Sequence, residues 1–112
     1  MAHTVKQRAR RPDMNNHRDR KLLDLAHELH ECTHCGSYGL DGLEPAHQNG
    51  IEAGKGQSIK GQDHRHAALC HRCHALYDSG PASRAEKLEM WTRAHLRTFD
   101  EYWKRGWLKV TR

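Results

Sequence analysis

Four cysteines fall in two CxxC pairs, Cys32/Cys35 and Cys70/Cys73, and His74 follows the second pair directly. Thiolates are soft ligands, and four of them within tetrahedral reach bind zinc tightly. Each pair offers two sulfurs from one turn of chain. The 34 residues between the pairs suffice for a loop or hairpin that brings the two turns together. A closed four-thiolate site needs no fifth ligand, so His74 is assigned to a second site beside it. The spacing therefore predicts a structural zinc held by Cys32, Cys35, Cys70 and Cys73, with chemistry next door. Two disulfides are the competing reading. The lack of anything resembling a secretory signal weighs against them and favours a reducing cytoplasmic setting.

A metal staple suits this composition. The chain has 112 residues, enough for one domain, but only 36% are hydrophobic and one is Phe. So small and polar a chain buries a thin core, and a bound metal makes up part of the difference. No run is apolar enough to span a bilayer, so no membrane partner is expected.

The net charge is +5, and its position says more than its size. Residues 1–21 carry seven basic side chains (Lys6, Arg8, Arg10, Arg11, Arg18, Arg20 and Lys21) against Asp13 and Asp19. The remaining residues carry twelve of each sign. Residues 1–18 show no hydrophobic period and read as a flexible basic arm; residues 19–112 form the folded domain. An arm of this kind suits the phosphate backbone of a nucleic acid, where released counterions supply affinity without sequence readout. A solvated tail is the plainer alternative.

Beyond the arm, Leu22, Leu25, Ala26 and Leu29 share one face of a short helix, with Asp19 placed to cap it. Seven of the nine glycines lie between Gly36 and Gly61, so that stretch is turns, a short strand or hairpin near 43–47, and a loop through Gly54-Lys55-Gly56. A short helix opens at the second cysteine pair and ends near Gly80-Pro81. Ser83-Arg84-Ala85-Glu86 is a capping box that starts a long helix over 84–104. Leu88, Trp91, His95, Thr98 and Tyr102 step along one face of it, with Phe99 and Trp103 beside them, and this stripe reads as core. Gly106 closes the helix. Trp107, Leu108 and Val110 form a terminal strand or packing tail.

Two cysteine turns, the second opening a helix, with a glycine-rich hairpin between them, describe an α+β treble-clef zinc finger. Glu44-Pro45-Ala46-His47 puts a histidine at the end of the first strand, and Leu69-Cys70-His71-Arg72-Cys73-His74 puts another in the first turn of the helix. These strings resemble the HNH endonuclease superfamily, whose zinc-bearing members end in LCxxCH around a ββα-metal unit. Ala46-His47, Gly54-Lys55-Gly56, Lys60, Asp63 and Asp78 extend the likeness to the small nucleases of lambdoid prophages. RecA-dependent phage nucleases of HNH type are more distant. The resemblance covers roughly residues 30–110.

The resemblance implies a metal-dependent DNA endonuclease of phage or prophage DNA processing or recombination. It would leave a 5′-phosphate and a 3′-hydroxyl, with RNA open as another substrate. His47 matches the general base, and His74 matches a ligand of a catalytic divalent cation, Mg²⁺ or Mn²⁺. Two motif positions differ. Ala46 stands where many members carry a metal-binding Asp, and the Asn expected before LC is replaced near Arg65 or His66. Asp63 is then the best further ligand, with Glu44 and Asp78 behind it. Lys55 and Lys60 would flank DNA phosphates along with Arg8, Arg10 and Arg11. The replaced Asp and Asn sustain an alternative, a non-catalytic zinc module that binds nucleic acid.

Two weaker patterns fall away. His27-Glu28-Leu29-His30 has its histidines three apart, whereas a zincin helix needs four. Gly50 to Gly56 lacks the order of a phosphate-binding loop. If the arm touches phosphate, deleting residues 1–18 will weaken DNA binding and flatten the slope of log affinity against log salt by about 0.9 per lost contact. An unchanged slope would show that it does not.

Overall fold

The computed structural model describes residues 18–49 and 62–111. The arm residues Arg8, Arg10 and Arg11, and the loop lysines Lys55 and Lys60, lie outside the described residues. The described chain is a small α+β fold with one two-stranded sheet and three α-helices.

Asp19 caps the first helix as its position suggested, accepting the Leu22 N–H at 3.1 Å. That helix, α1 (Arg20–Asp24), is shorter than the apolar spacing predicts and tightens into a 3-10 turn at Leu25–Glu28. The cause is tertiary. The carbonyls of Ala26 and Leu29 both accept the Leu43 N–H, at 3.3 and 2.9 Å, so Leu29 turns extended instead of continuing the helix. Gly42 makes this approach possible. Its φ is +87°, and a Cβ there would stand 2.0 Å from the His27 carbonyl oxygen.

Strands β1 (Glu44–His47) and β2 (His66–Leu69) pair antiparallel, with Glu44 opposite Leu69 and His47 opposite His66. The Gln48 N–H donates to Arg65 O just beyond the strands. Counting back in twos, Ala46/Ala67 and Glu44/Leu69 are the hydrogen-bonded pairs, while Pro45 and Ala68 turn their backbones outward. Proline is therefore tolerated in β1, because its missing N–H would point away from the partner strand.

Helix α2 (His71–Ser79) leaves β2 through Cys70, whose sulfur accepts the Cys73 N–H as an N-cap. Helix α3 (Arg84–Lys104) opens on the complete capping box, Ser83 N–H to Glu86 at 2.9 Å and Glu86 N–H to Ser83 at 3.1 Å. It stops at Gly106, φ +75°, where the Trp107 N–H returns to Tyr102 O. The tail beyond is not a strand. Trp107 and Leu108 pack against the core and Val110 is exposed.

The inner face of α3 is core at Trp91, Ala94, Thr98 and Tyr102, but two expected members of the stripe, Leu88 and Trp103, are exposed. Its buried polar tips finish the hydrogen bonding of the sheet. The Trp91 indole donates to Ala46 O at 2.8 Å, His95 Nδ1 donates to His66 O at 2.7 Å, and the Ala68 N–H donates to Thr98 Oγ1 at 2.9 Å. On β2, Thr33 Oγ1 takes Ala68 O at 2.7 Å. A two-stranded sheet leaves an unpaired outer edge on each strand. On β2 the side chains of His95 and Thr98 from α3 and of Thr33 from the first cysteine turn take the place of a further strand, while Trp91 adds a donor to a carbonyl already in the ladder. The alanines at 46, 67 and 68, all fully buried, let the helix come close enough for a short threonine to reach.

His66 sits at the centre of this packing with no exposed surface. Its Nδ1 donates to Asp63 O at 2.7 Å, which leaves Nε2 to accept the Tyr102 hydroxyl at 2.8 Å. Burial pushes its pKa down to about 4. The folded value lies below the unfolded one, so protonation favours unfolding. The stabilisation is complete above the unfolded pKa near 6.5 and is lost as pH falls toward 4, to a total of about 3 kcal/mol. Urea midpoints of the parent should therefore fall more between pH 7 and 4 than those of His66→Gln, which keeps hydrogen-bonding capacity without titrating. Parallel pH profiles would show that His66 is not the titrating group.

Candidate metal centre and histidine sites

The four sulfurs converge. Donor atoms of Cys32, Cys35, Cys70 and Cys73 all lie within 4.8 Å of one another, and all four cysteines are free thiols. Sulfurs about 2.3 Å from a tetrahedral zinc stand about 3.8 Å apart, and the Cys35 and Cys70 sulfurs are 3.8 Å apart. The backbone is arranged for charge on sulfur. Cys35 N–H points at Cys32 Sγ (3.5 Å), Ser37 N–H at Cys35 Sγ (3.5 Å), Cys70 N–H at Cys32 Sγ (3.3 Å) and Cys73 N–H at Cys70 Sγ (3.4 Å). Gly36, φ +80°, turns the chain so that Ser37 can reach back.

The thiols respond unequally. The Ser37 hydroxyl, 3.0 Å away, and the Ser37 backbone N–H lower Cys35 to about 6. Burial raises Cys70 against the opposing hydrogen bonds from Cys73, and burial followed by the neighbouring thiols raises Cys73 far more. Four sulfurs packed together cannot all ionise unaided, and a divalent cation at their centre removes that conflict. The donor set and the spacing thus fit zinc.

His47 ends β1 with its side chain largely covered, and its Nε2 lies 3.0 Å from Asp63 Oδ1. Asp63 is buried and also accepts the Asp19 backbone N–H, with the Arg18 guanidinium at 3.9 Å. Burial works to raise this carboxyl, but the His47 and Asp19 hydrogen bonds and the charges of His47 and Arg18 outweigh it and hold Asp63 below the usual range. An ionised carboxylate only accepts, so His47 carries its proton on Nε2 and leaves Nδ1 as an acceptor.

His74 stands in the first turn of α2, between two carboxylates. Its Nδ1 is 2.7 Å from Glu44 Oε1 and its Nε2 3.3 Å from Asp78 Oδ2. Glu44 reaches His71 as well, at 3.0 Å. Burial tends to raise Glu44, but the hydrogen bonds from His74 and then His71 hold it below the ordinary range. The ring nitrogens thus face one carboxylate each, and the nearer contact is the one to Glu44. One imidazole and two carboxylates are suitable donors for a divalent cation. These three do not converge as the sulfurs do. Among the described residues, only the cysteines bring three or more such donor atoms together.

Sequence reasoning set Asp63 beside His74; the structure sets it against His47, and Glu44 and Asp78 are the acids at His74. The bond from Asp63 to His47 spans 16 residues, and no local spacing foretells it. His66, named in the sequence only as near the place of the replaced Asn, is a buried hydrogen-bonding centre, and a strand buried at all four positions has no alternation to mark it. His30, from the discarded HExxH-like string, donates to Gly39 O at 2.7 Å and stacks on Tyr38, bracing the first cysteine turn. No described helix is long and apolar enough to cross a membrane. Comparisons with protein-family models, curated proteins and solved structures gave no significant match.

The purified chain is expected to hold one zinc, measured by elemental analysis. Cys73→Ser, altering a buried ligand, should lose both the metal and most of the helical circular dichroism, because binding and folding are coupled. A metal-free parent with a full helical signal would contradict the assignment.

Proposed function

We propose that this chain is a metal-dependent DNA endonuclease of HNH type, built on a treble-clef zinc finger and acting in phage or prophage DNA processing or recombination. The observation that carries the reading is the pairing of His47 with a buried, ionised Asp63 at the end of β1, beside a helix that the cysteine cluster anchors. The quoted sequence strings and the hairpin-then-helix order support it.

In this reading His47 is the general base. Its Nδ1 takes a proton from a water whose oxygen attacks phosphorus. Asp63 fixes the ring tautomer and stabilises the imidazolium that forms. The bond from phosphorus to the 3′ oxygen breaks, that oxygen gains a proton from solvent, and the products are a 3′-hydroxyl and a 5′-phosphate. Glu44, His74 and Asp78 would hold a divalent cation, which when bound neutralises charge on the phosphate. The alternative, a nucleic-acid-binding zinc module without catalysis, draws on one observation: the donors around His74 are not gathered to a point.

The test compares cleavage rate with metal concentration in two variants. His47→Ala should be slower by about 10²–10⁴-fold at every metal concentration, the usual worth of a positioned base. His74→Ala should regain part of its activity as metal rises. Both should keep their zinc. His47→Ala cutting at the parent rate would sink the general-base role.

A further inference from the structure

A cleft of about 250 Å³ lies beside the two histidine sites, lined by Asn49, Tyr77, Asp78, Arg84, Lys87 and Leu88. It adjoins both. Asn49 is two residues beyond His47, and its N–H donates to the Tyr77 hydroxyl at 2.7 Å, tying the end of β1 to α2. Asp78 is the acid on His74 Nε2. The cleft therefore has an acidic wall toward His74 and a basic wall on the first turn of α3.

The basic wall is set apart from the rest of its helix. Arg93 faces Glu89 at 3.5 Å, Lys104 faces Glu101 at 3.9 Å, and Arg97 donates to Thr33 O at 3.1 Å. Arg84 and Lys87 have no such partner among the described residues. The nearby acids are engaged: Glu86 holds the Ser83 N–H in the capping box, and Asp78 faces His74. Tyr77 keeps its proton, because burial raises it to about 12. Having accepted from Asn49, its O–H can donate into the cleft. Two uncompensated cations and a hydroxyl donor meet in one recess, which is the chemistry of an oxyanion site.

We infer that Arg84 and Lys87 seat a non-scissile backbone phosphate of the bound nucleic-acid strand in this cleft, and so set the strand's register against His47. This rests on the nucleic-acid reading above. It gives two side chains of α3, absent from the sequence-level candidates, a role in positioning substrate.

Binding without cleavage tests it. A labelled DNA duplex is titrated by fluorescence anisotropy, without added divalent cation, from 50 to 200 mM salt. The proteins are the parent, Arg84→Ala/Lys87→Ala, the charge-preserving Arg84→Lys/Lys87→Arg, and Lys104→Ala/Arg105→Ala as a distal control. Zinc content and circular dichroism establish that each is folded. The alanine pair should bind about tenfold more weakly at low salt and lose about 1 from the slope of log affinity against log salt. The charge-preserving pair and the distal control should keep the parent slope. If the parent binds and the alanine pair matches it in affinity and slope, the cleft proposal is wrong while the nuclease reading stands. Equal losses in the distal control would also overturn it, showing only a general charge effect. If the parent binds no nucleic acid, both fall.

Discussion

Four sulfur atoms meeting at one point hold the rest of this molecule in place. The sheet has two strands of four residues each, too little to stand alone in water. The first cysteine pair follows α1, the second opens α2, and the strands lie between them. Gathering the sulfurs brings the start of α2 against the hairpin, where Cys70 N–H reaches Cys32 Sγ. Without a cation the gathering is unfavourable, since burial and neighbouring thiols oppose ionisation of Cys70 and Cys73. A zinc at this cluster, which its four sulfurs fit, would fix the positions of His47 and His74 without contact to either.

Each histidine has acidic company, but of different kinds. His47 faces one buried carboxylate, which fixes a proton on its Nε2. His74 lies between two more exposed carboxylates, one at each ring nitrogen. The first arrangement suits proton transfer and the second suits holding a cation. Under the proposed function, two roles would thus come from one residue type through what faces each ring. The buried His66 takes a third role, as a neutral link joining Asp63 to Tyr102 of α3.

The features legible in the sequence were those set by local chemistry. Asp19 and the Ser83/Glu86 box act within three residues of themselves, and both caps stand where the sequence put them. The cysteine spacing likewise specified a four-sulfur cluster. Longer-range partnerships were hidden. The period of α3 showed that Trp91 and Thr98 face inward, but not that Thr98 would take up the unpaired edge of β2 and Trp91 a carbonyl of β1, since that depends on the narrow alanine strands opposite. Trp103 looked like core and is exposed, because the sheet is too small to cover so wide an apolar face. The helical segment that opens at Arg20 ends before Leu29, where the carbonyls of Ala26 and Leu29 accept the Leu43 N–H. Asp63 meets His47 across 16 residues, a partnership that no local pattern marks.

The account's central claim is that this zinc-stapled hairpin and helix cut DNA. The most direct measurement is incubation of the pure parent with supercoiled plasmid across Mg²⁺, Mn²⁺ and Ni²⁺, followed by end-group analysis of the nicked product. The account predicts nicking that needs a divalent cation and ends that a ligase reseals without prior phosphorylation, as 5′-phosphate and 3′-hydroxyl termini require. Intact plasmid with every cation, from protein carrying its full zinc, would contradict it.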